Sequence, residues 1–360
     1  MKEELLGFLT PWIVYAIITL LHIILPARKV VGYVSDEITG EKLKYRLNGL
    51  LVLITSIMMW FLVGYLDLVS FDWLYSIRWY SLAGAFTLGL SYSLNAVLPY
   101  PKVRDSVLAD LFFGRLKNPQ YLKGRVDAKM WLYLVGAVML QLHVLSFVAH
   151  HYYTFGIDEV NGVYLCAVMI TFFVFDYLSN EEVHLYTYDI FAERLGFKLG
   201  WGCLVFYPFF YAIALWASVD ILSAELANWQ IALYSLVFIS GWLLARGANM
   251  QKFYFKTQPE MAFLGIRPKT VSADGKSLLV NGFWGFSRHI NYLGEILMAT
   301  GIALTVSAEA GFWPWLYPLY YVALLFPRQI DDDKRCKTKY GKLWEAYTEQ
   351  VKYRIIPFIY

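Results

Sequence analysis

Stretches of about twenty apolar residues recur along this chain, and that is the length a helix needs to cross the hydrocarbon of a bilayer. Hydropathy places nine candidate spans, at approximately 5–26, 48–68, 79–98, 130–150, 161–178, 199–219, 230–246, 293–308 and 313–326. A water-soluble core cannot use so much apolar surface. Of 360 residues, 58% are hydrophobic and only 16% charged, outside the mixture of soluble domains. The pattern predicts an all-α fold, a polytopic transmembrane helix bundle. The first stretch, Leu5 to Leu25, is longer than a secretory apolar region and has no small-residue cleavage site before Pro26, so it reads as a retained helix.

The basic residues test the span count. With nine spans, the loops 27–47, 99–129, 179–198 and 246–292 and the tail after 326 share one side of the membrane. They contain all but Lys2 and Arg78 of the 31 lysines and arginines. Positive-inside bias then places the N-terminus outside or lumenal and the C-terminus cytoplasmic, in a bacterial inner membrane or an endoplasmic reticulum. Topology accounts for the net charge of +3, so no nucleic-acid partner is implied. Cys166, Cys203 and Cys336 are odd in number and lack ligand spacing, so neither a disulfide framework nor a metal site is expected.

Three segments carry more polar and aromatic residues than a helix end requires. Lys252 and Lys256 leave the seventh span four residues apart, one face of a helical continuation. Two cations there suit a phosphate, or else mark a snorkelling helix end. In Trp284-Gly-Phe-Ser-Arg288-His289-Ile-Asn291-Tyr292, ionisable and amide groups crowd against a membrane entry, where they need partners or a function. The alternative is interfacial anchoring by Trp284 and Tyr292, with Arg288 facing headgroups. In the tail, Tyr340, Trp344 and Tyr347 fall at helical spacing and are expected on one face, to stack on a flat ring or pack on the bundle. No Gly-x-Gly-x-x-Gly, Walker loop, Gly-x-Ser-x-Gly or His-Glu-x-x-His occurs, which removes the usual signatures of dinucleotide folds, phosphoryl transfer, serine hydrolysis and zinc proteolysis. His143, His150 and His151 are read as interface residues at the far end of the fourth span.

Taken in order, the motifs resemble the sterol reductase family: delta-14-sterol reductases, the lamin B receptor membrane domain, 7-dehydrocholesterol reductase and delta-24(28)-sterol reductases. The resemblance runs almost end to end. It includes Tyr45-Arg46-x-Asn48-Gly49, Asp110 to Arg115 with Asn118-Pro119, Asp127-x-Lys129, and Glu181 through Gly196-Phe197. Its most specific parts are Asn249-x-Gln251-Lys252, Gly282-Phe-Trp284 with Arg288-His289-x-Asn291-Tyr292, and Cys336-x-x-Lys339-Tyr340-Gly with Trp344 and Tyr347.

The resemblance implies one integral membrane domain over 1–360, with 1–228 giving N-terminal helices and part of a sterol cavity and 229–360 carrying an NADPH pocket. It implies a ten-helix fold that here lacks its first helix, since one span precedes the Tyr-Arg-x-Asn-Gly element. Carried over, the cofactor contacts fall on Lys252, Lys256, Leu279, Trp284, Asn291, Tyr292, Asp332, Cys336, Lys337, Thr338, Lys339, Tyr340 and Tyr347. Arg288 and Arg328 match family arginines. One departure bears on the pocket: Asp331 stands where relatives carry an arginine. The implied activity is reduction of a sterol double bond by alkene protonation and hydride transfer, with delta-14 placed ahead of delta-7 and delta-24. Glu181, Asp189, Asp332, Tyr292, Tyr320 and Tyr321 are candidate proton donors, with Glu181, Asp332 and Tyr292 put forward as catalytic, because burial can keep a carboxyl protonated. The substrate would enter from the bilayer, where membrane lipid surrounds the protein. The alternatives are an isoprenylcysteine-type carboxyl methyltransferase using S-adenosylmethionine and a non-catalytic sterol-binding protein.

Overall fold

The computed structural model describes residues 2–37, 39–157, 161–222 and 225–360. Each expected span coincides with helix. Among the described residues, five helical segments are long and apolar enough to cross a membrane: Lys2–Ile24, Ala128–Phe155, Gly162–Ser179, Phe197–Ser218 and Asn228–Thr257. Gly49–Tyr65 and Ile290–Leu304 are shorter apolar helices. Arg78–Val97 carries serines and an asparagine along its length, and Leu316–Tyr340 turns charged from Arg328 onward. The chain is thus a polytopic α-helical membrane protein, with three small antiparallel hairpins between helices among the described residues. It divides into two compact units, Met1–Glu225 and Leu226–Tyr360.

In the first unit, the core helix Ala128–Phe155 buries residues on every side, which an all-round apolar sequence predicts. Asp127 caps it, its carboxylate accepting from the backbone N–H groups of Lys129 and Met130 at 3.1 Å each. The family-like motifs of this unit fasten chain ends. Arg46 donates to the carbonyls of His22, Ile23 and Leu25, and Asn48 donates to that of His22, so the end of the first helix is closed by side chains. Asp110 accepts from the backbone of Val103 and Arg104 and pairs with Arg115 at 2.8 Å. Burial alone would raise its pKa, but those donors hold it below the usual carboxylate value. Lys129 donates to the carbonyls of Asp189, Ile190 and Glu193, closing the loop at 188–193.

Two of the three histidines of the fourth span differ from expectation, while His150 is half-buried between Asp72 and Asp220. His143 and His151 are fully buried, not interfacial. The reason is the neighbouring Phe197–Ser218 segment, whose helix is interrupted at Tyr211–Ala212 and ends at Ser218. The interruption leaves Pro208 O to accept from His143 Nδ1 at 3.0 Å, and the end leaves Val219 O to accept from His151 Nδ1 at 2.7 Å.

In the second unit, Asn228–Thr257 packs along Ile290–Leu304, which in turn packs on Leu316–Tyr340. The first contact is built on small residues: a Cβ added at Gly294 would lie 2.4 Å from Ala245 N and 2.5 Å from Gly241 O. Close backbone approach of this kind is what gives helix association in lipid its packing energy. The hairpin Thr270–Ala273/Lys276–Leu279 turns through Asp274–Gly275, both at positive φ, the turn that matches strand twist.

Candidate functional site

The site is assembled inside the second unit from the end of Asn228–Thr257, the 279–292 segment and the charged half of Leu316–Tyr340. Buried Gln251 sets the geometry: its Oε1 accepts from Phe283 N at 2.9 Å and its Nε2 donates to Asn281 O at 3.3 Å. That holds Phe283–Phe286 against the long helix. Trp284 Nε1 donates to Ala248 O at 2.8 Å, and the Lys252 ammonium lies 5.4 Å from the Trp284 ring centroid, cation–π range. Asn291 Nδ2 donates to Asn249 Oδ1 at 3.4 Å. Tyr292, 7% exposed, has its ring stacked on His289 at 4.9 Å and 18°.

Arg288 and His289 are 7% and 5% exposed and are tied to the C-terminal tail. Backbone N–H groups of Arg288 and His289 donate to Tyr353 O and Arg354 O at 2.9 and 2.8 Å, and Ser287 Oγ donates to Ile355 O at 2.9 Å. Arg288 Nη1 donates to the carbonyls of Val351 and Lys352, and Nη2 pairs with Asp333 at 3.3 Å. Burial is the main force pushing the His289 pKa down to about 4; Arg288 and Lys252 add to it while Asp332 opposes. The imidazole is therefore neutral at physiological pH.

Four buried polar atoms here have no hydrogen-bond partner among the described residues: Arg288 Nε, His289 Nε2, Asn291 Oδ1 and Asp333 Oδ1. Leaving a buried donor or acceptor unpaired costs about 1–3 kcal/mol. A concentration of such atoms on one short segment and its neighbour marks a place where a polar ligand or water belongs.

The expected site residues fall into groups. Lys252, Trp284, Asn291 and Tyr292 come together around the 248–252 turn, as above. Asp332 pairs with Arg335 at 3.0 Å and is close enough to His289, Cys336 and Tyr347 to shift their titration. Arg328 lies one turn before Asp332 on the same helix. Cys336, Tyr340 and Tyr347 line an apolar nest, in which Trp344, Tyr347 and Val351 pack on Val271, Leu278, Val280, Cys336 and Tyr340, whereas Leu279, also buried, alternates to the other face of its strand. Burial first, then Asp332, pushes the Cys336 thiol up to about 12, so it is not a nucleophile. Lys256, Lys337, Thr338 and Lys339 are exposed.

Two expectations are corrected. Tyr340, Trp344 and Tyr347 do not share one helix face, because Gly341 at φ 53 ends the first helix and Lys342–Gln350 begins a second. The rings still meet, Tyr340–Trp344 at 6.5 Å and Trp344–Tyr347 at 4.9 Å, but across a corner. Asp331 does not join the buried cluster either. It is exposed, because the inward positions of this helix are 325, 328, 329, 332, 333 and 336.

Glu181 lies in the first unit, 8% exposed, where its Oε2 accepts from Gly49 N at 2.7 Å at the start of Gly49–Tyr65. Burial pushes its carboxyl up to about 7, against the Gly49 hydrogen bond and Arg28. It borders an open cleft of about 450 Å³ with Asn48, Leu50, Leu51 and Leu178. Sequence reasoning left Asp333, Gln329 and Gln251 outside the site. A signal existed: 329 and 333 are one turn apart on the face already containing 332 and 336.

Fold and site together define a polytopic membrane protein with a compact C-terminal unit in which cations, amides and aromatics converge. The chain belongs to the Ergosterol biosynthesis ERG4/ERG24 family, whose profile matches residues 3–360. It is 32% identical over 349 residues to the Delta(14)-sterol reductase of Arabidopsis thaliana, covering 94% of this chain and 91% of that one. It is 31% identical over 374 residues to the Delta(14)-sterol reductase ERG24 of Saccharomyces cerevisiae, covering 96% and 82%. With the Delta(14)-sterol reductase erg24 of Schizosaccharomyces pombe it shares 35% identity over 260 residues, 71% of this chain and 59% of that one.

Proposed function

We propose that this chain reduces the delta-14 double bond of a sterol with NADPH. The coarser statement, that it is an oxidoreductase acting on a sterol carbon–carbon double bond, rests on the family and on relatives similar over most of its length. The choice of delta-14 follows the names those relatives carry.

The observation that supports the cofactor is the convergence of Lys252 on Trp284 beside four unpaired buried polar atoms. These residue types fit a dinucleotide phosphate. Lys252 and Lys256 would hold phosphate oxygens, Asn291 and Arg288 would meet amide and hydroxyl groups, and Trp284 and Tyr292 would cover flat rings. When bound, NADPH supplies the hydride. The protein's own task is the proton, since an isolated alkene accepts hydride only after protonation gives a tertiary carbocation. Of the acids put forward from the sequence, Tyr292 and Asp332 lie in this cluster. Neutral His289 stacked on Tyr292 keeps a cation from accumulating beside the phenol. Apolar packing around Trp344 and Tyr347 restricts water, which would trap the carbocation. Placement of this unit on the cytoplasmic side, where NADPH is supplied, is supported by the basic residues of the loops and tail.

The test uses purified protein in detergent, a delta-14 sterol and NADPH deuterated at the nicotinamide C4. One deuterium in the product from labelled NADPH, and one more when the solvent is heavy water, is the expected result. A product without the cofactor's deuterium would refute the assignment. Tyr292→Phe and Asp332→Asn, assayed separately, identify the donor as the one whose loss lowers kcat by about a hundredfold or more.

A further inference from the structure

We propose that Asp333 is a positioning residue, the half-buried clasp through which the C-terminal decapeptide fixes the Arg288–Tyr292 wall of the pocket. The inference rests on the NADPH reading for what that wall binds, and on geometry alone for the clasp.

Asp333 gathers groups from three directions. Gln329 Nε2, one turn earlier on its own helix, donates to Oδ2 at 2.7 Å. Arg288 Nη2 reaches the same oxygen at 3.3 Å from the pocket wall, and Arg354 Nε lies 3.7 Å from it, reaching in from the tail. His289 Nε2 lies 4.0 Å from Oδ1, and both of those atoms are buried without a hydrogen-bond partner among the described residues. Asp332 is the remaining charge on this carboxylate.

The tail completes the clasp. Residues 351–355 give their carbonyls to Ser287, Arg288 and His289, Tyr360 OH donates to Gln329 Oε1 at 3.3 Å, and the Tyr360 ring stacks on Phe326 at 5.3 Å. One carboxylate therefore holds together a helix, the pocket wall and the chain end. If its charge is removed, Arg288 keeps its tail carbonyls but loses its anion, and a buried guanidinium without its counter-charge must shift. The wall it belongs to ends in Asn291 and Tyr292. Asp331, adjacent but exposed, is the matched control, and Glu at 333 keeps the charge.

The experiment compares Asp333→Asn, Asp333→Glu and Asp331→Asn by hydrogen exchange of peptides spanning 287–292 and 351–360, by calorimetric NADPH binding and by steady-state kinetics. For Asp333→Asn we expect faster exchange in both peptides, a Kd and KM for NADPH raised about tenfold or more, and kcat at saturation within about threefold. Asp333→Glu should recover most of the affinity, and Asp331→Asn should match wild type. Unchanged exchange and affinity in folded Asp333→Asn overturn the proposal, as does a loss confined to kcat, which marks a group acting in the chemistry. If Asp333→Asn does not fold, Arg354→Gln weakens the clasp at its exposed arm and must shift exchange and affinity the same way, by less. Should wild type bind no NADPH, the function reading fails, and exchange alone decides whether Asp333 fastens the wall.

Discussion

Glu181→Gln separates the structural task of this carboxyl from any other, and its size can be worked from the structure. The folded carboxyl titrates near 7 against an ordinary 4.5, because it is buried and its single described donor, Gly49 N–H, does not offset the lost water. Each pKa unit corresponds to about 1.36 kcal/mol, so ionising Glu181 in the folded protein costs about 3 kcal/mol more than in the unfolded chain. The folded state binds the extra proton, so this stability is fully present below pH 4.5 and is lost as pH rises through 7. Gln has the same shape, accepts from Gly49 N–H and never ionises. Wild type should therefore lose about 3 kcal/mol relative to Glu181→Gln between pH 4.5 and pH 8. Tryptophan fluorescence during thermal unfolding in detergent reads the difference, with every other titrating group common to both proteins. A difference that is constant from pH 5 to 8 would refute the reasoning.

Gly294→Leu places a side chain where the backbone of Gly241 and Ala245 already stands, and should destabilise the second unit by about 1–3 kcal/mol or prevent its folding, measured by the same unfolding assay. Lys252→Ala should weaken NADPH by about 10- to 100-fold, the worth of a charge-assisted phosphate contact, with little change in unfolding temperature. Cys336, its thiol pushed up to about 12, should react with iodoacetamide at pH 8 at least about tenfold slower than a free cysteine peptide, read by mass spectrometry.

Much of the architecture was legible because a bilayer imposes its own ruler. Apolar run length located the helices, and the Lys/Arg asymmetry is the pattern that a nine-span reading of them predicts. The site was legible only as a set of residue types near one membrane face. What composition and spacing could not give is how a chain end folds back. Ser287, Arg288 and His289 look like ligand-binding groups in sequence, yet much of their hydrogen bonding goes to carbonyls of 351–355, contacts some sixty residues away that carry no side-chain signature. For the same reason Asp333 was passed over for Asp332, since helical phase alone does not say which neighbour meets an arginine from another segment. The His143 and His151 expectation failed for a related reason. A break and a helix end in a different segment leave the carbonyl partners that make burial of an imidazole affordable, and neither is visible in the local sequence around the histidines.

The central claim is a reaction, and it is tested most directly by incubating the detergent-purified chain with NADPH and matched sterols bearing a delta-14, delta-7 or delta-24 double bond, with products identified by mass spectrometry. The account predicts one product, two hydrogens heavier, from the delta-14 sterol alone, formed in step with NADPH oxidation. Reduction of only the delta-7 or delta-24 sterol would contradict the choice of bond, and no product from a folded, NADPH-binding sample would contradict the assignment of turnover itself.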